Sequence, residues 1–366
     1  MNRLEGHFDK SPIPRVQSSS ENNSSFFNFD DEFVDITDYI HRTTARIWEG
    51  KQVGLIYDYY ADYCPVYTMT GVSMRAEDVV QSTLSTLASF PDRTLEAINV
   101  VSGKEPLGGL HTSHLIRSHM TNLADSVYGP ATGKNATILV IAHCIVKDNK
   151  VTKEWLVRDN YGLVVQLGHD PLHVAQTWAR YARSESFIKW RNSEIERVTQ
   201  SVNKQRASYT DDPKTFIRSF LQNIWNARMV GDVHLFYSPD AIFHGVAGRN
   251  FAGPNEIAGF YMKLLGTVSE LKFSLDYVCD SELDGDASLV AVRWTLCGIH
   301  SGPALYGEPT NSQVFVIGES QYRLLNGKVV EEWTVFDELS VLADIFRSRL
   351  TSTRNSEQNL SSENND

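Results

Sequence analysis

The chain has 366 residues, of which 42% are apolar and 11% aromatic, which is enough to bury two domain-sized cores and excludes a disordered or low-complexity protein. Acidic residues outnumber basic residues by 45 to 34, and the formal charge of −11 disfavours nucleic acid and anionic membrane surfaces as partners. No segment has the length and apolar character of a secretory signal or a membrane span. We therefore expect a cytoplasmic protein that acts on small molecules or binds proteins.

The predicted elements begin after a Ser- and Asn-rich N-terminal tail. Apolar residues at helical spacing predict a helix that ends near Trp48 and a second helix over residues 75–89. Apolar or alternating runs then predict four strands, over residues 94–101, 110–121, 136–146 and 150–159. Helices followed by an antiparallel sheet are typical of an α+β domain.

The second half of the sequence repeats the first at an offset of 177 or 178 residues. Trp48 corresponds to Trp225, and the segment that starts at Lys150 has a close copy in the second half. The repeat predicts a tandem duplication of one domain, with a helical connector between the copies. The predicted segments are a mobile tail at residues 1–31, a first domain at 32–175, the connector at 176–211, a second domain at 212–348 and a disordered tail at 349–366.

Several short segments resemble the SnoaL-like polyketide cyclases. They are Ser-Phe-Pro-Asp at 89–92, Tyr-Gly-Pro-Ala-Thr-Gly-Lys at 128–134, Arg-Trp-Thr at 293–295, Gly-Ile-His-Ser-Gly at 298–302 and the closing Glu-Trp-x-Val-x-Asp of both copies. The resemblance implies two tandem cone-shaped α+β barrel domains, the fold shared with nuclear transport factor two and ketosteroid isomerase, in which helices pack on a curved antiparallel sheet around a deep pocket. It also implies chemistry without a cofactor. Because each copy lacks motifs that the other has, we expect the two pockets to differ.

An aspartate ends the last predicted strand of each copy, at Asp159 and Asp337. Alternation along the strand puts each aspartate on the same face as a tryptophan, Trp155 or Trp333. A carboxylate on such an apolar face loses hydration, which raises its pKa and makes it a usable proton acceptor near neutral pH. The alternative is that each aspartate only caps the loop after the strand.

Histidines are the predicted partners of these aspartates. His143 lies on the strand before Asp159, in a place similar to that of a pocket histidine in the cyclases, and His300 is the counterpart for Asp337. A histidine there would protonate a developing oxyanion while the aspartate removes a proton from carbon. Asp159, His143, Asp337 and His300 are therefore the predicted catalytic residues, and the first copy is expected to be the more reactive.

The predicted substrate-binding residues are aromatic, basic or histidine side chains: Trp48, Tyr67, His111, Arg117, His119, Trp155, Trp225, His244, Arg293 and Trp333. Arg117 and Arg293 would bind a substrate carboxylate or neutralise the nearby aspartate. The alternative is that these residues lie on a sheet face at a domain interface. His114 is interpreted as a core or interface residue. Because His111 and His114 point to opposite faces of a strand, no metal site is predicted.

The sequence favours a cofactor-independent acid/base enzyme that acts on a small carbonyl-containing metabolite in a deep apolar pocket, by cyclase, isomerase, lyase or hydrolase chemistry. The alternative is a non-catalytic small-molecule-binding or protein-interaction module of the same fold. We expect the two domains to form an internal pseudo-dimer through an apolar contact between their sheets, and a further homo-oligomer is left open.

Overall fold

The computed structural model describes residues 28–363, and their side chains as far as residue 350. Most of the predicted N-terminal tail, and the last three residues, lie outside the described part. The described part of the chain forms two domains, each with a six-stranded sheet, joined by a helical connector. Within it, no helix is long and apolar enough to cross a membrane.

The first domain places three helices around its first strands and two more after its sheet. The helices are α1 Ile36–Thr44, α2 Ile56–Tyr59, α3 Ala76–Ser89, α4 Asn160–Leu167 and α5 Pro171–Ala179. The strands are β1 Tyr63–Tyr67, β2 Val72–Arg75, β3 Thr94–Lys104, β4 Leu110–Thr121, β5 Asn135–Lys147 and β6 Lys150–Arg158. The helix α6, Glu185–Ser201, forms the connector.

The second domain repeats this arrangement. Its helices are α7 Pro213–Leu221, α8 Val233–Phe236, α9 Gly253–Thr267 and α10 Glu338–Glu363. Its strands are β7 Tyr237–His244, β8 Asn250–Ala252, β9 Val268–Glu282, β10 Ala287–His300, β11 Gln313–Leu325 and β12 Lys328–Phe336. The helix α10 continues through most of the segment that the sequence predicts to be a disordered tail.

The two sheets have the same strand order, β2-β1-β6-β5-β4-β3 and β8-β7-β12-β11-β10-β9. This agrees with the sequence repeat and confirms the predicted α+β class. The sheets are mixed rather than purely antiparallel, because β1 runs parallel to β6 and β7 runs parallel to β12. In each domain the last strand returns beside the first, a pairing of residues nearly 90 positions apart that local patterns cannot show.

Each domain has a π-helical turn at the end of its first helix, at Ala45–Glu49 and Gln222–Asn226. These turns contain the repeated tryptophans, Trp48 and Trp225. The wider turn rotates the side chains that follow relative to a regular α-helix. Both tryptophans line the cavity of their own domain.

The outer faces of the two sheets meet across a contact that is polar at its centre. Leu115, Ile141 and Val157 of the first domain belong to one apolar cluster with the core of the second domain. Between them, His143 Nδ1 lies 3.2 Å from Glu319 Oε2, and Gln321 Nε2 donates to the Ser113 carbonyl at 3.0 Å. The predicted apolar contact is thus only partly correct, because polar residues alternate with apolar ones on these strand faces.

The connector helix touches both domains through one tryptophan. The Trp190 ring lies 4.9 Å from the Tyr67 ring of the first domain and 5.4 Å from the Phe315 ring of the second. On the same helix, Arg197 donates to Ser274 and Asp276 on β9. The connector therefore holds the domains together at one edge of their contact.

Candidate active site

A cavity in the first domain lies between the inner face of β4–β6 and the helices that cover it, and the centres of water molecules have about 70 Å³ of room in it. Strand pairing aligns the inward side chains in rows. The rows are Thr112, Cys144 and Glu154, then His114, Ala142 and Leu156, then Ile116, Val140 and Arg158. Because Ala142 is small, open space separates the side chains on either side of it.

Glu154 is the buried carboxylate of this cavity, with 5% of its surface exposed. The Tyr60 hydroxyl donates to Oε2 at 3.0 Å, and in the described part of the chain Oε1 accepts no hydrogen bond. Burial raises the pKa of Glu154, while the Tyr60 bond and the charge of Arg158 lower it. A carboxyl with a raised pKa and one free oxygen is suited to exchange a proton with a ligand.

Two polar atoms on β4 face the same cavity without a partner. His114 is 3% exposed, and burial lowers its pKa to about 3, so the imidazole is neutral. Among the described residues, neither His114 Nε2 nor Thr112 Oγ1 has a hydrogen-bond partner. Since buried polar groups are nearly always satisfied, these two atoms mark a place where a ligand would supply the missing partner.

The second domain has a cavity in the equivalent position, where the centres of water molecules have about 40 Å³ of room. Its rows are Val290, Tyr322 and Glu332, then Val292, Ser320 and Thr334, then Trp294, Gly318 and Phe336. One row position holds the same polar residue in both domains, which is Glu154 in the first and Glu332 in the second. The Trp294 indole fits over Gly318, where a Cβ atom would lie only 2.1 Å from the ring.

The polar groups of the second cavity satisfy one another. Glu332 accepts hydrogen bonds from Tyr237 and Thr334, and Trp294 Nε1 donates to Ser320 Oγ at 3.1 Å. Burial raises the pKa of Glu332 to about 7. With its carboxylate engaged and its walls aromatic or aliphatic, this cavity offers a ligand mainly apolar surface.

The two predicted catalytic aspartates lie outside both cavities, at helix N-termini. Asp159 Oδ1 accepts from Gly162 N at 2.8 Å in α4, and Oδ2 accepts from Ala247 N of the second domain, also at 2.8 Å. Burial raises the pKa of Asp159 to about 6.

Asp337 has the same place before α10. It accepts from Ser340 N at 3.1 Å and from Asn160 Nδ2 of the first domain at 2.7 Å. Both aspartates therefore cap a helix and link the two domains, which matches the capping alternative. Their catalytic role stays a prediction.

The predicted histidine His143 lies between the sheets, where it meets other predicted site residues. Its Nε2 lies 2.8 Å from His111 Nδ1, and its Nδ1 faces Glu319. The Arg293 guanidinium lies 3.5 Å above the Trp155 ring in the same interface. These residues are brought together by the domain contact and not by a cavity.

The other predicted residues are dispersed. Arg117 and His119 lie on an exposed surface beside Glu96, at 2.9 and 3.3 Å. The remaining contacts join His244 to Trp333 by stacking at 5.6 Å, Tyr67 to Trp155 by stacking at 5.6 Å, and His300 Nδ1 to Thr310 Oγ1 at 3.0 Å. Of the predicted set, Trp48 and Trp225 line the cavities.

The sequence interpretation assigned the closing strand to the wrong face. It took the tryptophan of Glu-Trp-x-Val-x-Asp as the inward residue, whereas Trp155 points toward the other domain and Glu154 points into the cavity. Both strand faces are buried, so burial alone does not mark the inner one. The signal that was available is the glutamate itself, which both copies retain as Glu154 and Glu332.

Residues 215–345 match the model that describes the SnoaL-like polyketide cyclase family. The second domain is SnoaL-like. No curated protein sequence gives a significant match to the chain.

Solved structures similar to part of the chain include a proposed SnoaL-like polyketide cyclase from Jannaschia sp. CCS1, with 21% identity over 39% of this chain and 98% of that chain, at a TM-score of 0.33. A proposed polyketide cyclase from Streptomyces antibioticus has 20% identity over 36% of this chain and 98% of its own, at a TM-score of 0.31. A proposed hydroxylase from Streptomyces galilaeus has 18% identity over 40% of this chain and 90% of its own, at a TM-score of 0.28.

Proposed function

We propose that the first cavity is the active site of an acid/base enzyme that acts on a small carbonyl compound, with Glu154 as its general base. One observation supports this most strongly: a buried carboxyl with a raised pKa faces two buried polar atoms, on His114 and Thr112, that have no partner in the described chain. Glu154 replaces Asp159 as the proposed base because both oxygens of Asp159 accept backbone hydrogen bonds at a helix cap.

The spacing of the groups suits a substrate of one or two rings. With strands about 5 Å apart and same-face residues about 7 Å apart along a strand, the backbones of Glu154 and His114 are separated by about 10 Å across the sheet and about 7 Å along it. Two long side chains shorten this gap to the width of a small ring system. A substrate there contacts both groups at once.

In the proposed reaction, ionised Glu154 removes a proton from the carbon beside the carbonyl, and the electrons of the C–H bond form an enolate. His114, in the tautomer with a proton on Nε2, and the Thr112 hydroxyl donate hydrogen bonds to the enolate oxygen. The enolate carbon then takes the proton back from Glu154, or it attacks a second carbonyl carbon. In the second case the π electrons of that carbonyl move to its oxygen, which takes the proton from Glu154. Neither step uses a cofactor.

The neutral state of His114 suits this role. An imidazolium would compete with the substrate for the charge of Glu154, whereas a neutral imidazole stabilises the enolate by a hydrogen bond alone. Burial keeps His114 neutral by lowering its pKa, and it makes ionised Glu154 a stronger base by raising the pKa of that carboxyl.

The proposal is tested by α-proton exchange of β-tetralone in D2O, followed by proton NMR. The parent should accelerate exchange, and Glu154→Gln should lower its rate by about two to four orders of magnitude, the usual contribution of a positioned base. Glu332→Gln is the matched control, since it makes the same change at the equivalent position of the second cavity. A parent that does not accelerate exchange, or a Glu154→Gln variant as active as the parent, contradicts the proposal.

The alternative function, a ligand-binding module, is favoured by one feature of the second cavity. Its polar groups bond to one another and its walls are apolar, so a ligand would be held by contact with aromatic and aliphatic side chains such as Trp225 and Phe336. We propose that the second domain binds an apolar molecule or serves as a scaffold, whereas the first domain carries out the chemistry.

We also propose that the two domains act as an internal pseudo-dimer. Reciprocal contacts support this: Asp159 accepts from Ala247 of the second domain, and Asp337 accepts from Asn160 of the first. Each domain thus completes a helix cap in the other domain. Ala247 of the second domain donates to the cap of α4, and Asn160 of the first domain donates to the cap of α10. Either domain alone would lose one acceptor or donor of this pair.

A further inference from the structure

Two arginines, Arg93 and Arg158, line both the first cavity and a larger crevice outside it. The crevice gives the centres of water molecules about 970 Å³ of room and runs along α3, α5 and the loop that contains Tyr128. Arg93 follows the Phe-Pro-Asp segment after α3, and Arg158 ends β6. The arginine pair therefore stands where a molecule would pass from the crevice into the cavity.

Most hydrogen-bond donors of this pair are unused. Arg93 is 7% exposed and donates from Nε to Ser118 Oγ at 2.9 Å, but its terminal nitrogens donate to no group in the described chain. Arg158 makes no side-chain hydrogen bond to any described residue, and its Nε is buried without a partner. Since a guanidinium has five N–H donors, the pair offers a fork of donors to a ligand.

The charges of the pair are also incompletely balanced. Burial and the nearby charge of Arg158 lower the pKa of Arg93 to about 9. Neither arginine forms an ion pair within the described residues, and the carboxylate that Arg158 influences in the cavity is Glu154. Arg93 is buried and Arg158 is half-buried, and two like charges removed from water opposite one carboxylate are costly unless a further anion joins them.

The second domain shows that the fold does not need arginines at these positions. At the offset of 178 residues, Arg93 corresponds to Leu271 and Arg158 corresponds to Phe336. Both of these apolar residues line the second cavity. The first domain thus has two cations where the same architecture elsewhere in the chain is filled by hydrocarbon, which indicates a role in binding rather than in folding.

We propose that Arg93 and Arg158 bind a carboxylate of the substrate, so that the first cavity acts on a carbonyl compound that also carries an acid group. The carboxylate enters through the crevice and is held by the two guanidinium groups. The carbonyl end then lies deeper, between Glu154 and His114. The assignment of the carbonyl end rests on the proposed function above, whereas the carboxylate site does not.

The test compares a carboxylate with its neutral amide, β-naphthoate with β-naphthamide, by isothermal titration calorimetry. The parent should bind β-naphthoate about 10- to 100-fold more tightly than β-naphthamide, the range for hydrogen bonds between charged groups. Arg158→Gln should remove that preference, and Arg158→Lys should restore part of it. If Arg158→Gln does not fold, Arg158→Phe takes its place in the test, because the second domain has phenylalanine, Phe336, at this position.

Arg347→Gln is the control for a general effect of charge in the crevice. Arg347 lines the crevice, but it pairs with Asp344 and donates to the Trp178 carbonyl at 2.9 Å, so its loss should leave the preference for the carboxylate unchanged. Equal affinity of the parent for the carboxylate and the amide overturns the inference. So does a preference that survives in Arg158→Gln, or one that falls equally in Arg347→Gln.

The variant Glu154→Gln separates this inference from the proposed function. It should still bind β-naphthoate, and more tightly than the parent, because the carboxylate that competes for Arg158 is removed. If it binds β-naphthoate while the parent shows no exchange of β-tetralone, the carboxylate site stands and the proposed chemistry fails. If the parent exchanges β-tetralone but has no preference for β-naphthoate, the chemistry stands and the carboxylate site is wrong.

Discussion

Asp159→Asn tests whether the carboxyl at the end of β6 is a structural cap. In the structure, this carboxyl accepts hydrogen bonds from Gly162 N and Ala247 N, and burial raises its pKa from 3.8 to about 6. The folded state therefore binds a proton more tightly than the unfolded state does. The stability that this proton contributes is fully present below the unfolded pKa and is lost as pH rises through the folded pKa.

The size of the effect follows from the two pKa values. A difference of one pKa unit corresponds to about 1.4 kcal/mol, so ionisation of Asp159 should lower the free energy of unfolding by about 3 kcal/mol between about pH 4 and pH 7. Asparagine does not ionise in this range. The free energy of unfolding of the parent, relative to that of Asp159→Asn, should therefore fall by the same amount over this interval.

Urea unfolding followed by tryptophan fluorescence, at several pH values, measures this difference. Asp92→Asn is the control, because the Thr121 hydroxyl holds the pKa of the Asp92 carboxyl below its usual value. The free energy of unfolding of the parent, relative to that of Asp92→Asn, should therefore rise with pH instead of falling. A difference between parent and Asp159→Asn that stays constant from pH 4 to 7 would refute the reasoning. Loss of β-tetralone exchange in a folded Asp159→Asn protein would return the role of base to Asp159.

Three further predictions concern the second cavity, the proposed base and the connector. Gly318→Ala should lower the free energy of unfolding by about 1–3 kcal/mol in urea titrations, because the new methyl group would overlap the Trp294 indole. Exchange of β-tetralone by the parent should rise with pH through a pKa above the usual glutamate value, since burial raises the pKa of Glu154. Trp190→Ala should speed tryptic cleavage of the connector, because the lost ring contacts both domains.

The fold class could be predicted from the sequence. Periodicity is a local pattern that identifies helices and strands, and the repeat is visible because its matches share nearly one offset. The parallel pairing of β1 with β6 was missed because it joins segments such as Val66 and Glu154 that no short-range pattern connects. Alternation correctly separated His111 from His114, which lie on opposite faces of β4. It did not say which face is inward, since the outer face is buried against the second domain.

The candidate site was harder to predict for the same reason. Asp159 is buried and has a raised pKa, as the sequence suggested for a catalytic carboxyl, but the burial comes from a helix cap and the domain contact. Arg93 was not selected, and Arg158 beside Asp159 was only one reason to expect the first copy to be the more reactive. That both arginines lack partners is visible only in the folded structure. The repeat did hold a clue, since the second copy has Leu271 and Phe336 at these positions.

The most direct test of the account is a crystal structure of the protein with β-naphthol, a stable analogue of the enol of β-tetralone. The account predicts that β-naphthol binds in the first cavity, with its hydroxyl oxygen about 3 Å from His114 Nε2, a hydrogen-bond distance, and with a ring carbon facing the Glu154 carboxyl. Binding of β-naphthol only in the second cavity, or in the first with its hydroxyl turned away from both residues, would contradict it.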